Sequence, residues 1–212
     1  MYTPRAFAEY RSDILHALMR VHPLATVIVQ GPSGMAINHL PFEFIDGQLC
    51  SHVARGNELA DCDGRSVSVV FHGPQGYVSP NWYPSKRVTG RDVPTWNYAV
   101  VHVHGCLRVI SDRVSLRRWL VALTDRHEAD QFEPWHVDDA PADHVEKMLS
   151  AIRGITIDVE HIEGKFKLSQ NQPEGNRRGV VEGLRQRNAP GDAQLAQWMN
   201  LIEESQDGQE PA

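Results

Sequence analysis

The chain has 212 residues, 41% of them hydrophobic and 23% charged, a globular composition that excludes wholesale disorder, collagen and coiled coil. Lys and Arg number 21 against 27 Asp and Glu, a net charge of −6, which argues against non-specific nucleic-acid binding because phosphate contacts need clustered cations. No run of roughly 18 or more apolar residues suggests a transmembrane helix, and the first residues lack the apolar centre of a secretory signal. Cys50, Cys62 and Cys106 form no Cys-x-x-Cys pair and suit a reducing compartment, so a cytoplasmic location is expected.

In chain order, Ser12-Asp13 opens a short helix with Ile14, Leu15, Leu18 and Met19 as its apolar stripe, stopped by Pro23. The β-branched run 24–29 predicts a strand, bounded by the turn Gly31-Pro32-Ser33-Gly34. Strands are predicted over 35–40 and 42–45, with Asp46-Gly47 as a hairpin signal and a return over 49–53. Residues 66–72 alternate as a strand should. The span 98–110 predicts a long strand, with Val101, Val103 and Gly105 on one face and His102, His104 and Cys106 on the other. Helices are predicted over 114–127 and 141–152, a half-buried strand over 155–162, and terminal helices over 177–187 and 193–202. The polar tail 203–212 has no apolar period and is expected to fray. Strands crowd the first 110 residues and helices follow, the pattern of a barrel with appended helices.

Four stretches carry chemistry. Residues 73–86 crowd Gly, Pro, Tyr77, Trp82 and Tyr83 with small polar groups, which suits a planar heteroaromatic ligand or a rigid loop packed on a core edge. Val93-Pro94-Thr95-Trp96-Asn97-Tyr98 offers aromatic faces, an amide and a hydroxyl where a loop enters a strand. In Glu163-Gly164-Lys165-Phe166-Lys167-Leu168-Ser169-Gln170-Asn171 the two lysines alternate, so in a strand both face one way and could hold a phosphate; a pair of surface lysines is the bland alternative. In Ser51-His52-Val53-Ala54-Arg55-Gly56-Asn57 a strand gives way to a turn with an Arg fork and a capping Asn. His102 and His104 share a strand face, but no third ligand stands at a convincing spacing, so no metal is expected. Gly-x-Gly-x-x-Gly, the P-loop, Gly-x-Ser-x-Gly and His-Glu-x-x-His are missing, and no catalytic residue is assigned.

Taken together and in order, His39-Leu40-Pro41, the 52–57 stretch, Tyr77-Val78-Ser79-Pro80-Asn81-Trp82-Tyr83, the 93–98 stretch, Pro134-Trp135 and the 163–171 stretch resemble the PaiB family of negative transcriptional regulators of protease synthesis and sporulation. The opening Tyr2-x-Pro4-x-x-Phe7 agrees, and the resemblance runs from Tyr2 to about residue 184. It implies a mainly β fold, an FMN-binding split β-barrel with flanking helices, as a homodimer with flavin at the subunit interface. Carried over, His52, Ala54, Arg55 and Asn57 fall in the family's strand-end motif and Ser79, Trp82 and Tyr83 in its aromatic loop. Thr95, Trp96 and Asn97 fall in its dimer-side motif, and Lys165, Lys167, Ser169 and Gln170 in its carboxy-terminal signature. These are the candidate FMN-binding residues. Two departures stand out: Gln172 replaces an Arg, and Asn176-Arg177 replaces an Asp-Arg pair.

The expected organisation is a split-barrel FMN-binding domain over 1–184 and a helical extension over 185–212. The expected function is an FMN-binding transcriptional regulator. The alternatives are a flavin-dependent oxidoreductase, resembling pyridoxamine-phosphate oxidase or flavin reductase, and a haem-binding or haem-degrading split-barrel protein. DNA binding has little support from charge, since the basic cluster is Arg177-Arg178 to Arg185-x-Arg187 and reads equally as a solvated helix face.

Overall fold

The structure, a computed structural model, describes residues 1–45 and 47–207. Asp46 of the expected hairpin signal and residues 208–212 of the tail expected to fray lie outside them. In chain order the elements are β1 (Ala8–Glu9), α1 (Ser12–Val21), β2 (Leu24–Gly31), β3 (Gly34–Pro41), β4 (Glu43–Ile45), β5 (Gln48–Ala54), β6 (Ser66–Val78), α2 (Lys86–Thr89), β7 (Thr95–Ile110), α3 (Arg113–Glu128), α4 (Ala142–Ser150), β8 (Ile152–Lys167), α5 (Glu174–Arg187) and α6 (Asp192–Asp207). They gather into two compact units, Met1–Leu18 with His72–Val101 and the described chain from Glu163 onward, and Met19–Phe71 with His102–Ile162. The boundary expected at 184 falls inside α5.

The strands hydrogen-bond in the order β3-β2-β6-β7-β8-β5-β4. The β2–β3 hairpin runs in register from Leu24↔Pro41 to Gly31↔Gly34, and Gly34 takes φ 132°, a value that side chains disfavour. Alternation along β2 and β6 turns Ala25, Val27, Val29, Val67, Val69 and Phe71 inward, all buried. The helices α3 and α4 add a cluster of Leu116, Val137, Val145 and Leu149, flanked by Trp119 and Leu120. Asp112 caps α3 by accepting from Ser115 N at 2.8 Å.

In the first unit β1 pairs antiparallel with the end of β8, Ala8↔Lys165 and Glu9↔Gly164. Here α5 and α6 bury Val180, Leu184, Leu195 and Ile202, and Trp198 of α6 meets Phe166 edge to face at 5.7 Å.

Several strand ends differ from expectation; β7, for one, begins at Thr95 rather than at 98. The 73–78 segment continues β6 as a strand, although its glycines and proline read as a loop. Gly73 is there for close approach: a Cβ on it would stand 2.8 Å from Leu18 Cδ1 and 3.0 Å from the Ala99 carbonyl oxygen. Likewise β8 spans Ile152–Lys167, beyond the expected 155–162, and α6 continues through Asp207 where a fraying tail was expected from 203.

Candidate functional site

The start of β7 and the end of β8 bring Thr95 and Lys167 together in the first unit. The Lys167 ammonium donates to Thr95 Oγ1 at 2.6 Å and to the Trp96 carbonyl at 2.7 Å. Burial pushes its pKa below the ordinary lysine range, and the neighbouring Lys165 pushes it the same way. Lys165 itself donates to the Tyr2 carbonyl at 3.0 Å and lies over the rings of Tyr98, at 5.4 Å, and Tyr2, at 5.8 Å.

Next to Lys167 the chain turns sharply. Ser169 adopts φ 68°, and its Oγ accepts from the fully buried Asn97 Nδ2 at 2.9 Å. The Tyr83 phenol also bonds Ser169; burial raises its pKa, that bond lowers it, and Asp92 raises it. Gln170 braces the turn, accepting from Leu168 N at 2.7 Å and donating to the Phe166 carbonyl. Thr95, Asn97, Lys167, Ser169 and Tyr83 line a cavity of about 330 Å³, together with Phe7, Arg91 and Asp92. Ligand clefts span roughly 300–1,000 Å³.

Trp96 faces away from that cavity's lining. Its Nε1 donates to Gln75 Oε1 at 3.1 Å, its ring meets Tyr77 edge to face at 6.4 Å, and with Tyr98 it lines a shallower depression of about 210 Å³.

The other expected residues are placed elsewhere. Ser79 caps the short turn Pro80–Trp82 by accepting from Asn81 N at 3.2 Å. Trp82 packs on α5, with the Arg187 guanidinium 5.1 Å from its ring centroid. His52, Ala54, Arg55 and Asn57 belong to the second unit. There Ala54 pairs with Ile152, Arg55 N donates to the Ala151 carbonyl at 2.8 Å, and Asn57 caps a turn by accepting from Leu59 N at 2.9 Å. Burial lowers the pKa of His52, which favours the neutral ring.

Phe7, Arg91 and Asp92 were not among the expected ligands. Phe7 stood in the opening motif; Arg91 and Asp92 sit in a polar loop with no local signal. Asn176, one of the two departures, is buried and donates to Ser85 Oγ at 2.8 Å and to Gln172 Oε1 at 2.9 Å. An amide in this place ties the first turn of α5 to the aromatic loop with neutral bonds, and Ser85 Oγ in turn donates to Asp92 at 2.8 Å.

Residues 1–161 match the family described as "Putative FMN-binding domain". An uncharacterized protein of Emericella nidulans is 33% identical, over 87% of this chain and 90% of its own. The protease synthase and sporulation protein PAI 2 of Bacillus subtilis is 28% identical, over 94% of this chain and 96% of its own. Among solved structures, the FAD and heme binding protein of Mycobacterium smegmatis superposes with a TM-score of 0.59 at 20% identity, covering 76% of this chain and 73% of that one. The flavocytochrome Anf3 of Azotobacter vinelandii gives 0.55 at 16%, covering 78% and 72%; both are likenesses of fold. The cavity's donors, an ammonium, a guanidinium, hydroxyls and an amide, suit a phosphate and a polyol chain, alongside the Asp92 carboxylate. With a family match over most of its length, the chain belongs to the FMN-binding PaiB family, has the split β-barrel fold, and takes FMN as its cofactor.

Proposed function

We propose that this protein is a homodimeric, FMN-dependent transcriptional regulator of the PaiB type, in which the Lys167 cavity receives the phosphate-bearing chain of the flavin. The observation that carries the reading is the half-buried Lys167 ammonium, held by Thr95 Oγ1 and the Trp96 carbonyl in a cavity shared with Ser169, Asn97 and Arg91. A buried cation with a depressed pKa regains the most when a dianion arrives. Thr95 and Ser169 supply hydroxyls, Arg91 a second cation, and Asn97 fixes the strained turn that presents Ser169. FMN, when bound, supplies reversible one- and two-electron redox chemistry. The regulatory half of the reading draws on the name of the Bacillus subtilis relative, which aligns with nearly the whole chain. The homodimer draws on exposed apolar groups of the first unit, Trp96 at 49%, Val93 at 70% and Val88 at 88%, more than a monomer leaves to solvent without reason.

The test is a fluorescence titration of apoprotein with FMN and with riboflavin, alongside light scattering. FMN is expected to bind at least tenfold more tightly, with the preference lost in Lys167→Ala, and the protein to scatter as twice 23.8 kDa. Equal affinity for the two flavins in wild type removes the phosphate role from Lys167, and a stable monomer removes the dimer. A promoter fragment bound with a steep salt dependence supports the regulator; none bound at low salt removes it.

A further inference from the structure

On β7, His102 and His104 occupy alternate positions and stand on the face opposite Val103 and Leu107, which are fully buried. Their rings lie 6.1 Å apart, with ligand nitrogens within 4.8 Å. The neighbouring strand β8 brings His161, whose ring lies 6.1 Å from that of His104 with the planes only 15° apart. From β6, on the other side of β7, Ser68 Oγ reaches His104 Nδ1 at 2.9 Å. The third histidine that local spacing does not provide thus arrives from the adjacent strand.

We propose that His102, His104 and His161 form a binding site for a divalent first-row transition metal ion, with Zn²⁺ as its reference occupant. Two histidines at i and i+2 of one strand and a third from the adjacent strand give a three-imidazole set with a remaining coordination position for water or another ligand. Imidazole selects zinc, copper, nickel or iron over the hard cations calcium and magnesium. Ligands about 2.0–2.1 Å from one ion lie about 3.3 Å from each other in tetrahedral geometry, closer than the three rings now stand, so metal binding requires these side chains to turn inward. When His104 Nδ1–H donates to Ser68 Oγ, the tautomer is fixed and Nε2 becomes the ligand atom, the outer-shell arrangement typical of metal-bound histidine. All four residues belong to the second unit, whereas the Lys167 cavity is lined by the first. The proposal therefore stands whether or not the flavin reading does.

The test is titration of the chelator-treated full chain with Co²⁺ as spectroscopic probe and Zn²⁺ as competitor. The expected result is one Co²⁺ per chain with visible d–d bands, displaced by Zn²⁺. His104→Ala and His161→Ala should each weaken binding tenfold or more, and Ser68→Ala by a smaller factor. His144→Ala, at an exposed position on α4, should leave it unchanged. His161 is also exposed, so its replacement leaves the fold intact, checked by the thermal midpoint. The proposal is overturned by no saturable Co²⁺ or Zn²⁺ binding up to about 1 mM, a dissociation constant worth only about 4 kcal/mol. It is also overturned by binding that survives in both histidine variants, or by a haemin Soret band dependent on these histidines with no binding of either ion.

Discussion

Asn97 and Ser169, 72 residues apart in sequence, meet away from water, Asn97 Nδ2 donating to Ser169 Oγ at 2.9 Å while Ser169 holds its backbone at φ 68°. The amide of Asn97 thus depends on a residue whose own conformation is unfavourable for any side chain. Ser169→Ala keeps that conformation and leaves a buried amide and the Tyr83 phenol short of a partner, at an expected cost of about 1–3 kcal/mol. Ser169→Gly removes the same hydroxyl but relaxes the backbone, so it should be milder by roughly 1 kcal/mol. Urea denaturation midpoints of the two variants check this; an alanine variant more stable than the glycine variant refutes it.

The packing of α5 on the aromatic loop makes a second prediction. A Cβ at Gly179 would stand 2.0 Å from the Trp82 carbonyl oxygen, and one at Gly183 would stand 2.3 Å from the Trp82 ring. Exchanging Gly for Ala inside a helix ordinarily gains about 0.8–1.0 kcal/mol. Here Gly179→Ala should instead lose stability, by roughly 1–3 kcal/mol, because backbone must move to admit the methyl group. A raised melting temperature for this variant would show the contact to be loose.

The third concerns acid. Asp192 is buried and accepts from Arg187 Nε at 2.8 Å and from Ala189 N at 2.9 Å. The hydrogen bond from Arg187 lowers its pKa most, burial opposes, and the Ala189 bond and Coulomb attraction lower it further. An aspartate whose folded pKa is depressed contributes stability above its unfolded value, near 3.9, which disappears as pH falls through the folded value. Asp192→Asn should therefore be clearly less stable than wild type at pH 7, with the gap narrowing below about pH 4. A gap independent of pH places the loss in packing rather than charge.

Lys167 gives a slope of the same sign, in the alkaline range. Its folded pKa is depressed, so between that value and the ordinary lysine value the unfolded chain binds more protons, and apoprotein stability rises with pH across the window. A phosphate bound to the ammonium favours the protonated form, so FMN affinity should fall as pH rises through the same window. Isothermal titration at increasing pH checks the trend, which Lys167→Ala should abolish.

Mutagenesis of cations separates the candidate phosphate donors. Lys167→Ala is expected to weaken FMN about tenfold or more, equivalent to 1.4 kcal/mol. The control is Arg178, exposed and paired with Glu174 on α5. Arg177 is unsuitable as a control because it donates to Glu203 at 2.6 Å and to the Gln172 carbonyl at 2.7 Å, joining α5 to α6 and to the preceding turn. Wild-type affinity in Lys167→Ala with loss in Arg178→Ala would relocate the phosphate.

Local pattern made α1, β2 and the alternation of β7 legible, because each of those depends on period and on neighbouring turn residues. It misread 73–78, where Gly and Pro signal a loop but packing against Leu18 and Ala99 keeps the chain extended. The family motifs named Thr95, Asn97, Lys167 and Ser169, but not that Lys167 would bond Thr95 or that Ser169 would turn left-handed to meet Asn97. Those are consequences of which strands lie together, and the sequence distance between them leaves no periodic trace. His161 was invisible as a companion of His104 for the same reason.

The interleaving of the two units bears on synthesis. The last segment of the second unit ends at Ile162, whereas the first unit needs the chain from Glu163 onward, including α5 and α6. On a ribosome the second unit can close first, while Met1–Leu18 and His72–Val101 wait for their partners for roughly 2–10 s at ordinary elongation rates. During that interval the Lys167 cavity does not exist. If that cavity holds FMN, the flavin can be captured only once the segment from Glu163 onward has emerged, and a ribosome stalled near residue 162 would carry a protease-sensitive, flavin-free intermediate.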